Sequence, residues 1–263
     1  MRVFHRVSDF TEWRRSLHGT LGFVPTMGNL HRGHASLVRR SVAQDDHTVV
    51  SIFINPTQFN SHSDYDKYPQ TMAEDLELLN DHGVDAVFAP TALEMYPNGF
   101  AHKVVRTDTQ HILCDAHRPG HFEGVLTVVN KLFAIVHPDN AFFGEKDFQQ
   151  LLYIEEMARD LFTGVKVVRC PTEREKSGLA LSSRNNRLSI EARERAAKVY
   201  QWIHYDRLSL NDLAERMKLQ GMELEYFEEH WGRRFVAFWI EGVRLIDNFD
   251  VAEEKRRQPE EIL

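Results

Sequence analysis

Five short apolar runs, at 21–24, 49–54, 84–88, 141–143 and 165–170, recur along the first two thirds of the chain, with segments of helical spacing between them. Strands separated by helices cannot close as hairpins; they align in parallel, and the crossing helices cover both faces of the sheet. The expected fold is therefore α/β, a Rossmann-like doubly wound parallel sheet. Val49-Val50-Ser51-Ile52-Phe53-Ile54 is nearly free of polar residues, as a strand buried on both sides requires. Ser8 is placed to cap a first helix through Phe10, Trp13 and Leu17, with Gly19 past its end. Leu37, Val38 and Val42 continue a second helix, and a third runs from Thr71 to His82. From Gly124 onward Val125, Val128, Val129, Leu132, Phe133 and Val136 keep one apolar face until Pro138 stops the helix. Phe148, Leu151, Leu152, Met157 and Leu161 mark the buried face of the next one, whereas residues 90–108 are turn-rich and without period.

The pattern changes near residue 180. Ser189 caps a helix through Ala192, Ala196, Ala197 and Val199, a second amphipathic stretch spans Leu210 to Leu219, and Leu224 to Phe227 is strand-like. Phe235 to Ile240 and Val243 to Ile246 flank Glu241-Gly242, a two-residue hairpin signal. Residues 1–179 thus form the parallel-sheet domain, and 180–263 a smaller α+β domain with an antiparallel sheet and a charged tail at 253–261 expected to be mobile.

Composition narrows the partners. With 42% hydrophobic residues in 263, the chain can bury a sizeable core. A net charge of −7 without a basic run argues against nucleic acid, and no apolar run approaches the ~20 residues of a membrane span. Cys114 and Cys170 cannot build a disulfide scaffold and have no metal-ligand spacing; with no signal-peptide core at the N-terminus, the expected compartment is the cytoplasm.

The stretch Val24-Pro25-Thr26-Met27-Gly28-Asn29-Leu30-His31-Arg32-Gly33-His34 runs from the first apolar strand through a tight loop into a helix. At a helix start, backbone N–H groups lack partners and the dipole is positive, so a phosphate fits there; Gly33 admits it closely, and the imidazoles of His31 and His34 can donate to its oxygens. His31-Arg32-Gly33-His34 alone is equally consistent with two half-exposed histidines at a helix start. In open α/β sheets ligands gather outside the carboxyl ends of strands, which brings in Gln58 in the 55–60 loop and the Gly144-Glu145-Lys146-Asp147 loop. Lys146 and Arg184, with the hydroxyls of Ser182 and Ser183, can hold a triphosphate and neutralise charge during displacement at the α-phosphorus. Singly, Lys146 also suits a solvated loop, and Ser182-Ser183-Arg184-Asn185 a polar turn capping the next helix.

Together, five blocks resemble the pantothenate synthetase family, ligases that join pantoate to β-alanine. They are Pro25-Thr26-Met27-Gly28 with His31-Arg32-Gly33-His34; Asn55-Pro56-Thr57-Gln58-Phe59; Arg118-Pro119-Gly120-His121-Phe122; Phe143-Gly144-Glu145-Lys146-Asp147 with Gln149-Gln150-Leu151; and Gly178-Leu179-Ala180-Leu181-Ser182-Ser183-Arg184-Asn185. Arg244-Leu245-Ile246-Asp247-Asn248 resembles the family's C-terminal end. The resemblance implies a two-step reaction with MgATP: pantoate's carboxylate attacks the α-phosphorus and pyrophosphate leaves, then β-alanine's amine attacks the pantoyl adenylate and AMP leaves. It also implies a homodimer and a second domain acting as a lid.

Carried onto this chain, the resemblance implies an ATP site of Met27, Gly28, Asn29, Leu30, His31, Arg32, Gly33, His34, Gly144, Glu145, Lys146, Asp147, Glu173, Leu181, Ser182, Ser183 and Arg184. Of these, His34 (the proton-sharing group), His31, Lys146, Ser182, Ser183 and Arg184 are the implied catalytic set. Gln58 and Gln150 would hold pantoate, Gln58 also β-alanine, and Asp75 would help to hold Mg²⁺. Asn29, Arg32, Cys114-Asp115 and Glu173 depart from the family's usual residues, and the region after Asn185 is short. The competing expectations are a nucleotidyl transferase handing AMP to another acceptor and a non-catalytic nucleotide-binding protein.

Overall fold

A computed structural model describes residues 1–60, 65–108, 110–204 and 208–252, so the tail at 253–261 lies outside the described residues. The chain divides into two compact units, Met1–Pro171 and Thr172–Leu263. The division falls earlier than 179/180. Arg174 explains it: its guanidinium forks onto both carboxylate oxygens of Asp247, at 2.5 and 2.8 Å, and lies over the rings of Tyr200 and Phe249. Together with the Glu175–Arg193 pair at 2.6 Å, it ties the segment after Pro171 to the second unit.

In the first unit, β1 (Arg2–Phe4), α1 (Val7–Arg15), β2 (Leu21–Thr26), α2 (Arg32–Gln44), β3 (His47–Ile52), α3 (Met72–Asp81) and β4 (Ala86–Phe88) come first. Then follow α4 (Ala92–Met95), α5 (Leu113–His117), α6 (His121–Val136), β5 (Asn140–Gly144), α7 (Phe148–Asp160) and β6 (Lys166–Cys170). The strands form one parallel sheet in the order β1-β4-β3-β2-β5-β6. Alternation along each strand separates two apolar layers. Val24, Val50, Val87 and Phe142 share a core with Leu37 and Val38 of α2 and Leu79 of α3. On the opposite face, Phe88 meets Phe10 of α1 at 5.0 Å and Phe143 meets Phe133 of α6 at 6.4 Å between ring centroids. Helices thus cover both sides, which is the doubly wound arrangement.

Several boundaries differ from the sequence pattern. α1 begins after Arg6 without a side-chain cap, and Ser8 lies within it, donating to Asp9. α6 starts at His121, and Leu161 sits past α7, half exposed. β1 has three residues, none of them buried, so no alternation announced it; its pairing to β4 makes it a strand.

The second unit holds α8 (Ile190–His204), α9 (Leu210–Leu219) and an antiparallel sheet of β7 (Glu223–His230), β8 (Arg233–Ile240) and β9 (Val243–Asp250). Ser189 Oγ accepts from Ala192 N at 3.1 Å, capping α8 as expected. Ala192, Ala196, Val199, Ile203, Leu213 and Met217 close on Val236, Phe238, Ile240, Val243 and Leu245, a core of its own. Glu241-Gly242 turns β8 into β9 with both φ angles positive, as a two-residue type I′ hairpin needs, and Trp231-Gly232 does the same between β7 and β8.

Candidate active site

Strand order decides where a ligand can sit. From β2 the chain winds outward to β3 and β4 on one side, then returns to place β5 and β6 on the other, so the crevice opens at the carboxyl ends of β2 and β5. The loop carrying His31 and His34 leaves β2, and the 3₁₀ turn Glu145–Asp147 leaves β5.

The β2 loop is built on Asp75, which is 3% exposed. Gly28 and Asn29 both take positive φ, at 80° and 50°, and turn two successive N–H groups inward. Asp75 Oδ2 accepts from Asn29 N at 2.9 Å and Oδ1 from Leu30 N at 2.7 Å. The residue expected to help hold Mg²⁺ therefore also clamps main chain. Each of its oxygens accepts one of these bonds, and burial, opposed by these hydrogen bonds, raises its pKa above the usual carboxylate value. Among the described residues no three His, Cys, Asp or Glu side chains converge on a common metal position.

His31 then caps α2. Its Nδ1 accepts from Gly33 N at 3.1 Å, while His34 Nδ1 accepts from His31 N at 3.3 Å, a reciprocal cap made by two imidazoles. A ring nitrogen that accepts carries no proton, so each neutral ring holds its hydrogen on Nε2 and keeps one donor for a ligand. The rings lie 4.1 Å apart. Burial lowers the pKa of His31 to about 4, with the Lys146 ammonium adding to the effect and Asp147 opposing it. His34 falls to about 3, by burial first and then the neighbouring His31, again against Asp147. Both imidazoles are neutral at physiological pH. The structure thus brings His31, His34, Lys146 and Asp147 into one electrostatic neighbourhood, with Lys146 Nζ 3.5 Å from the Asp147 carboxylate. Gly144 has ordinary extended backbone and open space where a Cβ would be, so a ligand can approach it closely.

Gln58 ends the 3₁₀ turn Pro56–Gln58 after β3. Its Oε1 accepts from Asn55 Nδ2 at 3.1 Å, and its Nε2 lies 3.2 Å from Met27 Sδ, which joins it to the β2 loop. Asn55, 1% exposed, is fixed in turn by Gly124 O at 3.1 Å and Tyr96 Oη at 2.8 Å. That residue stood in a recognised block yet carried no assigned role, because its task depends on Tyr96 and Gly124, far along the chain. Gln150, on the first turn of α7, is half buried. Its neighbour Gln149 is buried and structural, accepting from Cys114 N and donating to Ile112 O, both at 3.0 Å.

The remaining expected residues lie in the second unit. Ser182 caps the 3₁₀ turn Ser183–Arg187, its Oγ accepting from Arg184 N at 3.2 Å. Glu173 O accepts from Leu181 N at 2.9 Å, so that carbonyl is held by its own hairpin. Leu181, Ser182, Ser183 and Arg184 are half buried.

Over residues 2–250 the sequence matches the model of the pantoate-beta-alanine ligase family. The chain belongs to the pantoate-beta-alanine ligase family. The pantothenate synthetase of Legionella pneumophila strain Lens is 47% identical over 251 residues, 95% of this chain and 99% of the relative. That of Bdellovibrio bacteriovorus is 45% identical over 250 residues, with the same coverage. A pantoate-beta-alanine ligase from Francisella tularensis, solved in complex with beta-gamma ATP and beta-alanine, matches at TM-score 0.92 and 41% identity, covering 96% of this chain and 98% of that one. Pantothenate synthetase from Thermus thermophilus matches at 0.84 and 40%, covering 95% and 99%.

Proposed function

We propose that this protein condenses pantoate with β-alanine at the expense of ATP, giving pantothenate, AMP and pyrophosphate through a pantoyl adenylate. The observation that carries this is the convergence of His31, His34 and Lys146 at the switch point of the sheet in a chain of this family. Two neutral Nε2–H donors and one ammonium suit the α-phosphorus: pantoate's carboxylate attacks, charge builds on the non-bridging oxygens, and preformed donors meet it without reorganisation. Neutral imidazoles also avoid electrostatic capture of pantoate's carboxylate in an unreactive pose. Gln58 and Gln150 hold pantoate, Gln58 also β-alanine, whose amine then attacks the adenylate carbonyl and expels AMP. Ser182, Ser183 and Arg184 serve as further phosphate ligands; Arg184→Ala should raise the KM for ATP.

Mg²⁺ would enter with the triphosphate, with Asp75 helping to hold it beside phosphate oxygens and water, and would neutralise charge on the leaving pyrophosphate. The residues of the chain do the orienting. We also infer a homodimer in the cytoplasm, as the family resemblance implies; light scattering of the purified protein tests the stoichiometry.

The deciding experiment follows products. Pyrophosphate release that requires pantoate, then AMP release that requires β-alanine, is the expected result. Pyrophosphate release that ignores pantoate would favour another acceptor, and ATP binding with no release would favour a non-catalytic protein.

A further inference from the structure

We propose that Arg118 and His121 are positioning residues for Gln58, holding its main-chain carbonyl so that its side-chain amide meets the carboxylate-bearing substrates in a fixed direction. This rests on the assignment of Gln58 to those substrates. Gln58 closes a 3₁₀ turn, and the last carbonyls of a helical turn have no donor within it. Two donors, one at the end of α5 and one at the start of α6, fill that need. His121 Nδ1 lies 2.8 Å from Gln58 O, and Arg118 Nη2 lies 3.3 Å from the same oxygen.

The arrangement fixes its own protonation. A carbonyl oxygen only accepts, so His121 carries its proton on Nδ1 and its Nε2 is an acceptor; Arg118 Nη1 donates to it at 3.1 Å. The third arm of the guanidinium, Nε, donates to Asn60 Oδ1 at 3.2 Å. One planar fork therefore spans Phe59, gripping the residues on both sides of it, and its partner imidazole is 7% exposed.

Seen from Gln58, both ends of the residue are held. Arg118 and His121 take the carbonyl, and Asn55 takes Oε1. One amide hydrogen and one Oε1 lone pair are left for a ligand, pointing where the clamped backbone sends them. Neither Arg118 nor His121 needs to touch substrate for this; both act through the peptide of Gln58. Misplacement of a binding group by 1 Å is enough to cost about a hundredfold in rate.

The test uses the full-length protein and four variants, with KM for each substrate and the melting temperature measured in parallel. His121→Phe should raise KM for pantoate and β-alanine about tenfold or more while KM for ATP stays put. His121→Asn, which keeps an N–H at the Nδ1 position, should restore most of the loss. Arg118→Lys, which keeps the charge but cannot bridge three acceptors, should give an intermediate rise and guards against misfolding of the histidine variants. Gln58→Ala separates the proposal from its premise. If Gln58→Ala leaves both KM values unchanged, the assignment of Gln58 is wrong. If Gln58→Ala raises them and His121→Phe does not, or if His121→Asn fails to rescue, or if all three KM values move together with the melting temperature, the positioning role is overturned.

Discussion

At His31 and His34 the backbone itself sets the chemistry. Each Nδ1 faces a main-chain N–H, so an added proton would set N–H against N–H in a buried place beside Lys146. Neither imidazole should titrate between pH 5 and 8 in the free protein, and NMR of the ring protons checks this. Lys146→Ala should move both pKa values up, since its ammonium lowers both. The consequence for folding has a definite sign. An unfolded histidine binds its proton near 6.5, these two only near about 4 and about 3, so their contribution is complete above pH 6.5 and is lost as pH falls below it. Urea midpoints of the Lys146→Ala variant and the parent protein, compared at pH 7 and pH 5, should show a smaller acid loss in the variant. Asp75→Ala orphans two buried N–H groups, at about 1–3 kcal/mol each, and should weaken ATP binding in both buffers, with a further loss where Mg²⁺ is present; titration with and without Mg²⁺ separates the backbone role from the metal role.

At the level of elements, α6 is packed so tightly on the Pro56–Gln58 turn that a Cβ on Gly124 would lie 2.5 Å from Thr57 O. Gly124→Ala should therefore cost about 1–3 kcal/mol by overpacking and shift Gln58, raising KM for pantoate; denaturation and kinetics on one preparation check both. Phe10, with no exposed surface, fills the space between α1 and β4 against Phe4, Trp13 and Phe88. Phe10→Ala should lose about 3–5 kcal/mol, measured by urea unfolding, without altering any KM. Helix interiors and the Glu241-Gly242 hairpin were visible in the sequence, because apolar period and turn chemistry are set by near neighbours. Helix starts were less so: α6 begins at His121, three residues before the Gly124 start expected from the sequence, and Ser8 loses the cap position to an uncapped Arg6. Trp231-Gly232 carries the same X-Gly turn signal as Glu241-Gly242.

For the whole molecule, two cores within one chain predict two separable responses. Leu213 is fully buried in the second unit's core, and Leu213→Ala should cost about 2–5 kcal/mol there. Hydrogen exchange should lose protection across the described part of 190–249 while the strands of 21–26 and 140–144 keep theirs. Alternating apolar runs and helical periods dictated a parallel, doubly wound sheet, since each depends on residues a few positions apart. The expectation that His31, Lys146 and Arg184 bind phosphate likewise rests on residue type and on the family blocks. Strand order was not legible there, and it is strand order that puts β5 beside β2 and so Lys146 near His31. The same holds for Asp75 reaching Asn29 across 46 residues and Arg118 reaching Gln58 across 60. Such contacts are chosen by the global packing of elements, where the free energy of many buried surfaces is minimised together, and no local pattern carries that information.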